Sequence, residues 1–193
     1  WVVNKGASHV GFGATVSNQG IRGEFRRWDA QIAFDPKALN QSRVAATIEM
    51  GSAVTGDATR DQSLPTPDWF NVAAFPRATF VATNFRDLGA GRYQAFGDLT
   101  IRGVHRPVVL PFTLKINGNT AQMQGSLTIN RGAFGVGSGP VAGIGNGRRQ
   151  CADQRLHQRH APEVSRKTGR LCGIPRAPGV LNLPEWRTSI ARR

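Results

Sequence analysis

His9 and His105 are the histidines of the first 150 residues, and general-base work is the first chemistry to ask of them. His9 shares the parity of Gly11 and Gly13 in an alternating run, which points it outward. His105 lies in Gly103-Val-His-Arg-Pro107, which reads as a turn. Neither has a Ser or Cys nucleophile in a motif beside it, so both read as surface or loop histidines and no catalytic residue is assigned. Cys151, His157, His160 and Cys172 are donor types that zinc takes. They form no C-x-x-C pair and lie in no helical pattern, so no metal ligand is assigned either. Gly135-x-Gly137-x-Gly139 lacks the Gly-Lys-Ser/Thr and the following helix of a phosphate loop, and Gly11-x-Gly13 lacks a third glycine. These residues predict a protein that is not an enzyme and needs no cofactor.

The elements that would position such residues are strands. Val10, Phe12, Ala14 and Val16 alternate with small or polar residues, giving one apolar face at a period of two. The same alternation runs through Ile21–Phe25, Ala30–Phe34, Val44–Met50, Ala78–Ala82, Phe96–Ile101, Val108–Ile116 and Gly125–Ile129. Leu88-Gly-Ala-Gly91 and Asn117-Gly-Asn119 are short hairpin connections, and Asp35-Pro36 is a turn. Regular short strands joined in this way indicate a meander, a sandwich or a closed barrel. Alternation fails between Gly56 and Pro76. There Asp57–Leu64 reads as a helical turn or two, and Thr66 reads as the cap of a second short helix with Pro67 at its first position. The excursion over 57–73 would lie across one end of the sheet, with Trp69 and Phe70 on its buried side.

The chain has 193 residues and a formal net charge of +13, which invites a nucleic-acid reading. The charge is uneven: residues 1–139 hold 14 Lys and Arg against 9 Asp and Glu, whereas residues 140–193 hold 11 against 3. The body is only mildly basic, and residues 140–185 lack the aromatics that single-stranded nucleic-acid binding interleaves with arginine. No nucleic acid is expected as a partner. A basic tail that binds anionic surfaces or nucleic acid is the alternative function. Both cysteines lie in that tail, so the body is neither a disulfide scaffold nor a thiol enzyme. No run of about 18 apolar residues exists, so no membrane span is expected. The first residue is Trp1 rather than Met, which reads as a processed protein or a fragment whose signal peptide has gone.

Several motifs stand in a telling order. Ser8-x-Val10-x-Phe12 is followed by Ile21-Arg-Gly-Glu-Phe25 and Phe34-Asp-Pro36. Thr55-Gly-Asp-x-x-Arg60-Asp61-x-x-Leu64 precedes Asp68-Trp-Phe70 and Phe75-Pro-x-Ala-Thr-Phe80. Gly97-Asp-Leu-Thr-Ile-Arg-Gly103-Val-His-Arg-Pro107 and Asn130-Arg-x-x-Phe134-Gly-Val-Gly137 complete the set. Taken together, residues 1–138 resemble the YceI-like family of lipocalin-like proteins. The resemblance implies an all-β fold: an antiparallel eight-stranded lipocalin-like barrel with a short helical insertion over about 57–73. It implies binding of a polyisoprenoid, of quinone or polyprenyl type, inside the barrel, and export to the periplasm. It brings ties to stress response or isoprenoid metabolism in some relatives, and no catalytic residues. The protein would then be a carrier, store or sensor of an apolar lipid, with room for a homodimer.

The residues themselves fit such a guest. The inward parity mixes large Phe12, Phe25, Phe34, Phe80 and Phe112 with small Ala14, Gly23, Ala30, Ala46, Ala78, Ala82 and Gly125. Small residues between aromatics leave a channel, although the same aromatics could instead fill a dry core. The expected ligand-binding set is Phe12, Phe25, Phe34, Ile48, Trp69, Phe70, Phe80, Leu99, Phe112 and Leu114. Arg60-Asp61 is read as a helix-end or loop hydrogen-bond network in preference to a headgroup contact, because adjacent helical residues face different partners.

The tail departs from the family pattern, which expects Gly-x-Trp soon after Ser138 and then a closing strand. Domain 1–139 is therefore expected to be the barrel, and 140–193 a basic, irregular tail of low order that does not supply the last strand. Read one nucleotide later, Gly139-Pro-Val-Ala142 permits Gly-Gln-Trp, and Arg148–Gln154 permits the alternating Asp-Val-Ser-Val-Gln-Ile. Out-of-frame translation from near residue 139 is the expectation, with a genuine basic extension as the alternative.

Overall fold

The computed structural model describes residues 1–16, 19–137 and 180–191. Its strands are β1 (Val2–Val16), β2 (Gln19–Phe25), β3 (Trp28–Ala33), β4 (Arg43–Glu49), β5 (Ala53–Val54), β6 (Arg77–Gly89), β7 (Arg92–Ile101), β8 (Val104–Asn117), β9 (Thr120–Asn130) and β10 (Val180–Ala191). One short helix, α1 (Ala58–Ser63), lies between β5 and β6. The strands form one antiparallel sheet in the order β3-β4-β6-β7-β8-β9-β10-β1-β2-β5. The fold is all-β, as the alternation requires. Joining β2 to β3 across Arg26-Arg27, and setting aside the two-residue β5, gives the eight strands expected.

The circle closes where β3 meets the start of β1, and the N-terminal amine and side chains make that seam. The Trp1 nitrogen donates to the Ile32 carbonyl at 2.9 Å, and the Trp1 indole Nε1 donates to the Phe34 carbonyl at 2.7 Å. Lys5 Nζ reaches Asp29 Oδ1 at 2.9 Å and also donates to the Trp28 carbonyl. Inward side chains from every long strand merge into one core that includes Val10, Phe80, Ala95, Leu110 and Ala121. The turns carry the chemistry their geometry demands. Ala90-Gly91 and Arg102-Gly103 both take positive φ, which suits tight hairpins. His105 therefore stands just inside β8, opposite Thr100, rather than in the turn the sequence implied.

Three further expectations change in the structure. The second short helix is absent: after α1, residues Thr66–Asn71 make turn bonds, from Trp69 N and Asn71 N to the Thr66 carbonyl at 3.0 and 2.9 Å. Pro65 and Pro67 bias the residues before them away from helix and remove two donors, so Thr66 caps nothing. The core-lining parity also shifts along β6, because a bulge between Ala82 and Asn84 moves Phe85 onto the inward face.

The third correction concerns the tail. β10 pairs with β9 over Val180–Ala191 and with β1 over the same strand, so the tail does supply the closing strand. Two residues, Pro184 and Glu185, stand opposite Ser126 alone. That bulge interrupts the period of two ahead of Thr188 and Ile190, which hid the strand from a reading of simple alternation. Thr188 and Ile190 are 4% and 3% exposed. The proposed change of frame near residue 139, and the cysteines and histidines of the tail, lie outside the described residues.

Candidate functional site

One end of the barrel carries the hairpin turns 90–91 and 118–119, the start of β1 and the end of β10. The other carries α1, the 64–76 segment and the Asn130–Gly137 loop. Between the two ends lie two small cavities in line. The first is lined by Phe25, Ile48, Met50, Phe70, Ala78, Phe80, Leu99, Ile101, Leu110 and Leu127 and holds about 30 Å³. The second, also of about 30 Å³, is lined by Ile32, Phe34, Val44, Phe80, Phe85, Ala95, Leu110, Phe112, Leu114, Met123 and Ile190. Phe80 and Leu110 border both and form the partition between them. Among the described residues, neither lining contains a charged side chain, a hydroxyl or an amide.

Aromatic clusters bracket this interior. At the helical end the rings of Phe12 and Phe25 lie 4.9 Å apart, and Phe70 stands 6.2 and 6.0 Å from them. At the hairpin end Phe34 packs edge-on against Phe85, Tyr93 and Phe112 at 5.2–5.7 Å, and Tyr93 stacks on Phe112. Burial pushes the Tyr93 phenol up, with a further contribution from the Asp87 charge, so it stays neutral at physiological pH.

Eight of the ten residues expected at the site line these cavities: Phe25, Phe34, Ile48, Phe70, Phe80, Leu99, Phe112 and Leu114. Phe12 is buried but packs behind Phe25 and Phe70, and it borders the groove beside Gly11 and Gly13 instead. Trp69 is only half-buried. It neighbours Phe70 in sequence but turns toward the Asn130–Gly137 loop, where the Arg131 guanidinium lies 5.8 Å from its ring. Leu110, Ile101 and Met50 were in the alternating runs but were not singled out, because parity alone does not rank inward residues by depth. Phe85 was hidden by the bulge at Ala82/Asn84 and Ile190 by the bulge in β10.

The segment over the helical end is held by polar clasps. Asp57 caps α1 by accepting the Arg60 amide at 2.9 Å, and its other oxygen lies 3.3 Å from Arg60 Nη2. Asp61 accepts the Thr55 hydroxyl and the Thr55 amide, both at 2.7 Å. Arg60-Asp61 thus forms a hydrogen-bond network around the helix end. Arg102 Nη1 donates to the Trp69 carbonyl at 2.6 Å and to the Gly135 carbonyl, tying the segment to the β9 end loop. Arg131 Nη1 donates to the carbonyls of Val136 and Gly137 at 3.1 and 3.2 Å. Gly137 has φ 72°, which favours glycine, and a Cβ there would push the Arg131 guanidinium away from its carbonyl partners.

These clasps make two expectations. Arg102→Met keeps the side-chain stem but leaves two carbonyls without their charged donor. It should lower stability by about 1.5–3 kcal/mol and speed amide exchange across 64–75 more than in the β6–β9 strands; denaturant titration and hydrogen exchange read the two effects. The Thr55 hydroxyl first, and then its amide, hold the Asp61 carboxyl below the usual carboxylate range. A depressed folded pKa means that the contribution is present above the unfolded pKa and is lost as pH falls through the folded one. Exchange protection at Thr55 and along α1 should therefore drop as pH falls below about 4. Asp61→Asn should remove that acid dependence, and an unchanged acid limb in the variant would rule Asp61 out as its source.

The groups that could do chemistry stay apart. His9 is exposed, and His105 Nδ1 lies 2.9 Å from Thr100 Oγ1 on the outer surface. The buried hydroxyls of Ser42 and Ser52 are engaged in their own loops: Ser42 Oγ accepts the Asp35 amide at 3.0 Å, and Ser52 Oγ donates to the Glu49 carbonyl at 2.6 Å. Among the described residues no three His, Cys, Asp or Glu side chains are grouped to hold a metal.

A barrel with this lid and interior can be compared with known proteins, and the family model described as a YceI-like domain matches residues 1–149. The chain belongs to the YceI-like domain family. Among curated relatives, the UPF0312 protein of Pseudomonas savastanoi pv. phaseolicola is 30% identical over 152 residues, covering 74% of this chain and 79% of the relative. The UPF0312 protein of Shewanella denitrificans is 32% identical over 113 residues, or 57% of this chain and 59% of that protein. The crystal structure of Burkholderia cenocepacia BcnA superposes with a TM-score of 0.72 at 26% identity, covering 98% of this chain and 99% of that one. A polyisoprenoid binding domain from Saccharophagus degradans, implicated in plant cell wall breakdown, shares the fold with a TM-score of 0.62 at 14% identity, over 98% of this chain and 97% of that one. In this YceI-like chain the motif Asn130–Gly137 builds the loop that receives Arg102, and Thr55–Leu64 builds the capped helix.

Proposed function

We propose that this YceI-like protein binds a single long-chain apolar lipid, isoprenoid in type (a polyprenyl chain or a quinone tail), inside the barrel, as a carrier, store or sensor in the periplasm, and that it binds rather than catalyses. The observation that carries this is the interior: two cavities in line, lined among the described residues by apolar side chains and methionine sulfur alone. Such a lining gives no hold to a polar substrate, whereas each buried CH₂ of a hydrocarbon contributes about 0.8 kcal/mol. The shared fold with the Saccharophagus domain is in keeping with it. So is a body without cysteine, which folds equally well in an oxidising compartment. The reading requires no cofactor.

The cavities are small, about 30 Å³ each, against roughly 300–1,000 Å³ for ordinary ligand pockets. Loading therefore involves displacement of Phe80 and Leu110 to merge them, and movement of Phe70 with its clasped segment to admit the chain. Organic extraction of the purified protein followed by mass spectrometry tests the reading. A long-chain isoprenoid near one per protein is the expected result. Extracts free of long-chain lipid, together with no uptake of an added polyprenol or quinone, would sink it.

A further inference from the structure

The hairpin end of the barrel differs from the rest of the surface in two independent respects. Four large hydrophobic side chains are exposed among the described residues, and three of them, Val2, Leu88 and Ile116 at 42%, 44% and 38%, sit at this end; Val109 is on the wall. Leu88 precedes the 90–91 turn, Ile116 precedes the 118–119 turn, and Val2 pairs with Ala191 where β1 starts. Around them stand the exposed cations Lys37, Arg43, Arg86, Arg92 and Lys115, against Asp35 and Asp87. The four ion pairs among the described residues all lie elsewhere, at Lys5–Asp29, Arg26–Glu24, Arg27–Glu49 and Arg60–Asp57. The hairpin end thus carries five cations against two carboxylates with no ion pair between them among the described residues, whereas Arg27 and Arg60 at the helical end have carboxylate partners.

Protruding aliphatic tips set in a ring rich in Lys and Arg match the layered chemistry of one surface: anionic headgroups over acyl chains. We propose that the hairpin end of the barrel docks on the surface of an anionic phospholipid bilayer. Leu88, Ile116 and Val2 enter the headgroup layer, and the basic ring lies against the phosphates. The Phe34, Phe85, Tyr93 and Phe112 cluster, at the same end, then faces the membrane. This surface does not depend on the occupancy of the barrel, and its test is separate from lipid extraction.

Co-sedimentation of the full chain with vesicles at low salt reads the docking directly. Vesicles of phosphatidylcholine with phosphatidylglycerol should bind it at least about tenfold more tightly than phosphatidylcholine alone, because basic clusters bind anionic leaflets preferentially. Leu88→Glu/Ile116→Glu should weaken that binding about tenfold, and Arg86→Gln/Lys115→Gln several-fold, because both the apolar and the electrostatic parts contribute. Val109→Glu, which adds one such charge on the barrel wall, should bind as the parent does. The Gln pair alters only exposed side chains and keeps the test decisive if the Glu pair unfolds. Binding that both tip variants leave intact would trace it to the arginines beyond residue 139 and overturn the proposal. Loss in the Gln pair with none in the Glu pair would leave the aliphatic tips out of the contact and overturn it too.

Discussion

A variant lacking Val180–Ala191 should not reach the native state. β10 is the one element between β9 and β1, and it pairs with both. Its removal exposes two facing strand edges and uncovers the core beside Ala121 and Val10, which are 1% and 0% exposed in the intact barrel. The lost ladder bonds, at about 0.5–1.5 kcal/mol net each, together with the uncovered apolar surface, are comparable to a whole native margin of about 5–15 kcal/mol. The expected outcome is aggregated or molten protein without a cooperative thermal transition, since two open edges invite pairing between chains. Supplying Val180–Ala191 as a separate peptide should recover soluble material. A truncated chain with the parent's unfolding transition would show that the barrel closes without this strand.

Phe80→Asp should abolish lipid loading. Phe80 is 5% exposed and lies on the boundary of both cavities, so its replacement places a carboxylate at the centre of an apolar lining. An unpaired buried charge costs several kcal/mol, or is avoided by protonation, and either state repels a hydrocarbon guest. Because that variant also loses packing, Phe80→Ala is its companion. It should cost about 3–5 kcal/mol without lipid, as a large-to-small core change does, while merging the two cavities. Added polyprenol should return part of that stability through binding to the native state alone. Lipid occupancy by mass spectrometry and midpoint shifts on titration separate the two effects. Parental occupancy in Phe80→Asp would remove Phe80 from the binding site.

Much of the cavity lining is legible in the sequence because strand periodicity is local. Phe25, Phe34, Phe80 and Phe112 fall on the inward parity of unbroken runs, and each lines a cavity. The residues that escaped did so at irregularities. Phe85 follows a bulge that flips the phase of β6, and Ile190 follows the Pro184-Glu185 bulge in β10. Averaging the composition of 140–193 concealed a twelve-residue strand within it. A second helix would bury Trp69 and Phe70 together, but the turns that stand in its place send Phe70 into the barrel and leave Trp69 against Arg131. The clasp role of Arg102 has no local signature, since its two carbonyl partners lie 33 residues away on either side.

The amino-acid sequence by itself determined the class of fold, the tight hairpins and an apolar inward face. Each of these depends on residues within a few positions of one another: alternation at a period of two, and glycine where a turn needs positive φ. The tertiary structure alone decided which strand closes the barrel, where the bulges reset the phase, which aromatics meet across the interior and what clasps the lid. Those outcomes depend on contacts between strands far apart in the chain, and such contacts have no local signature until the sheet has curled round and brought β1 against both β10 and β3.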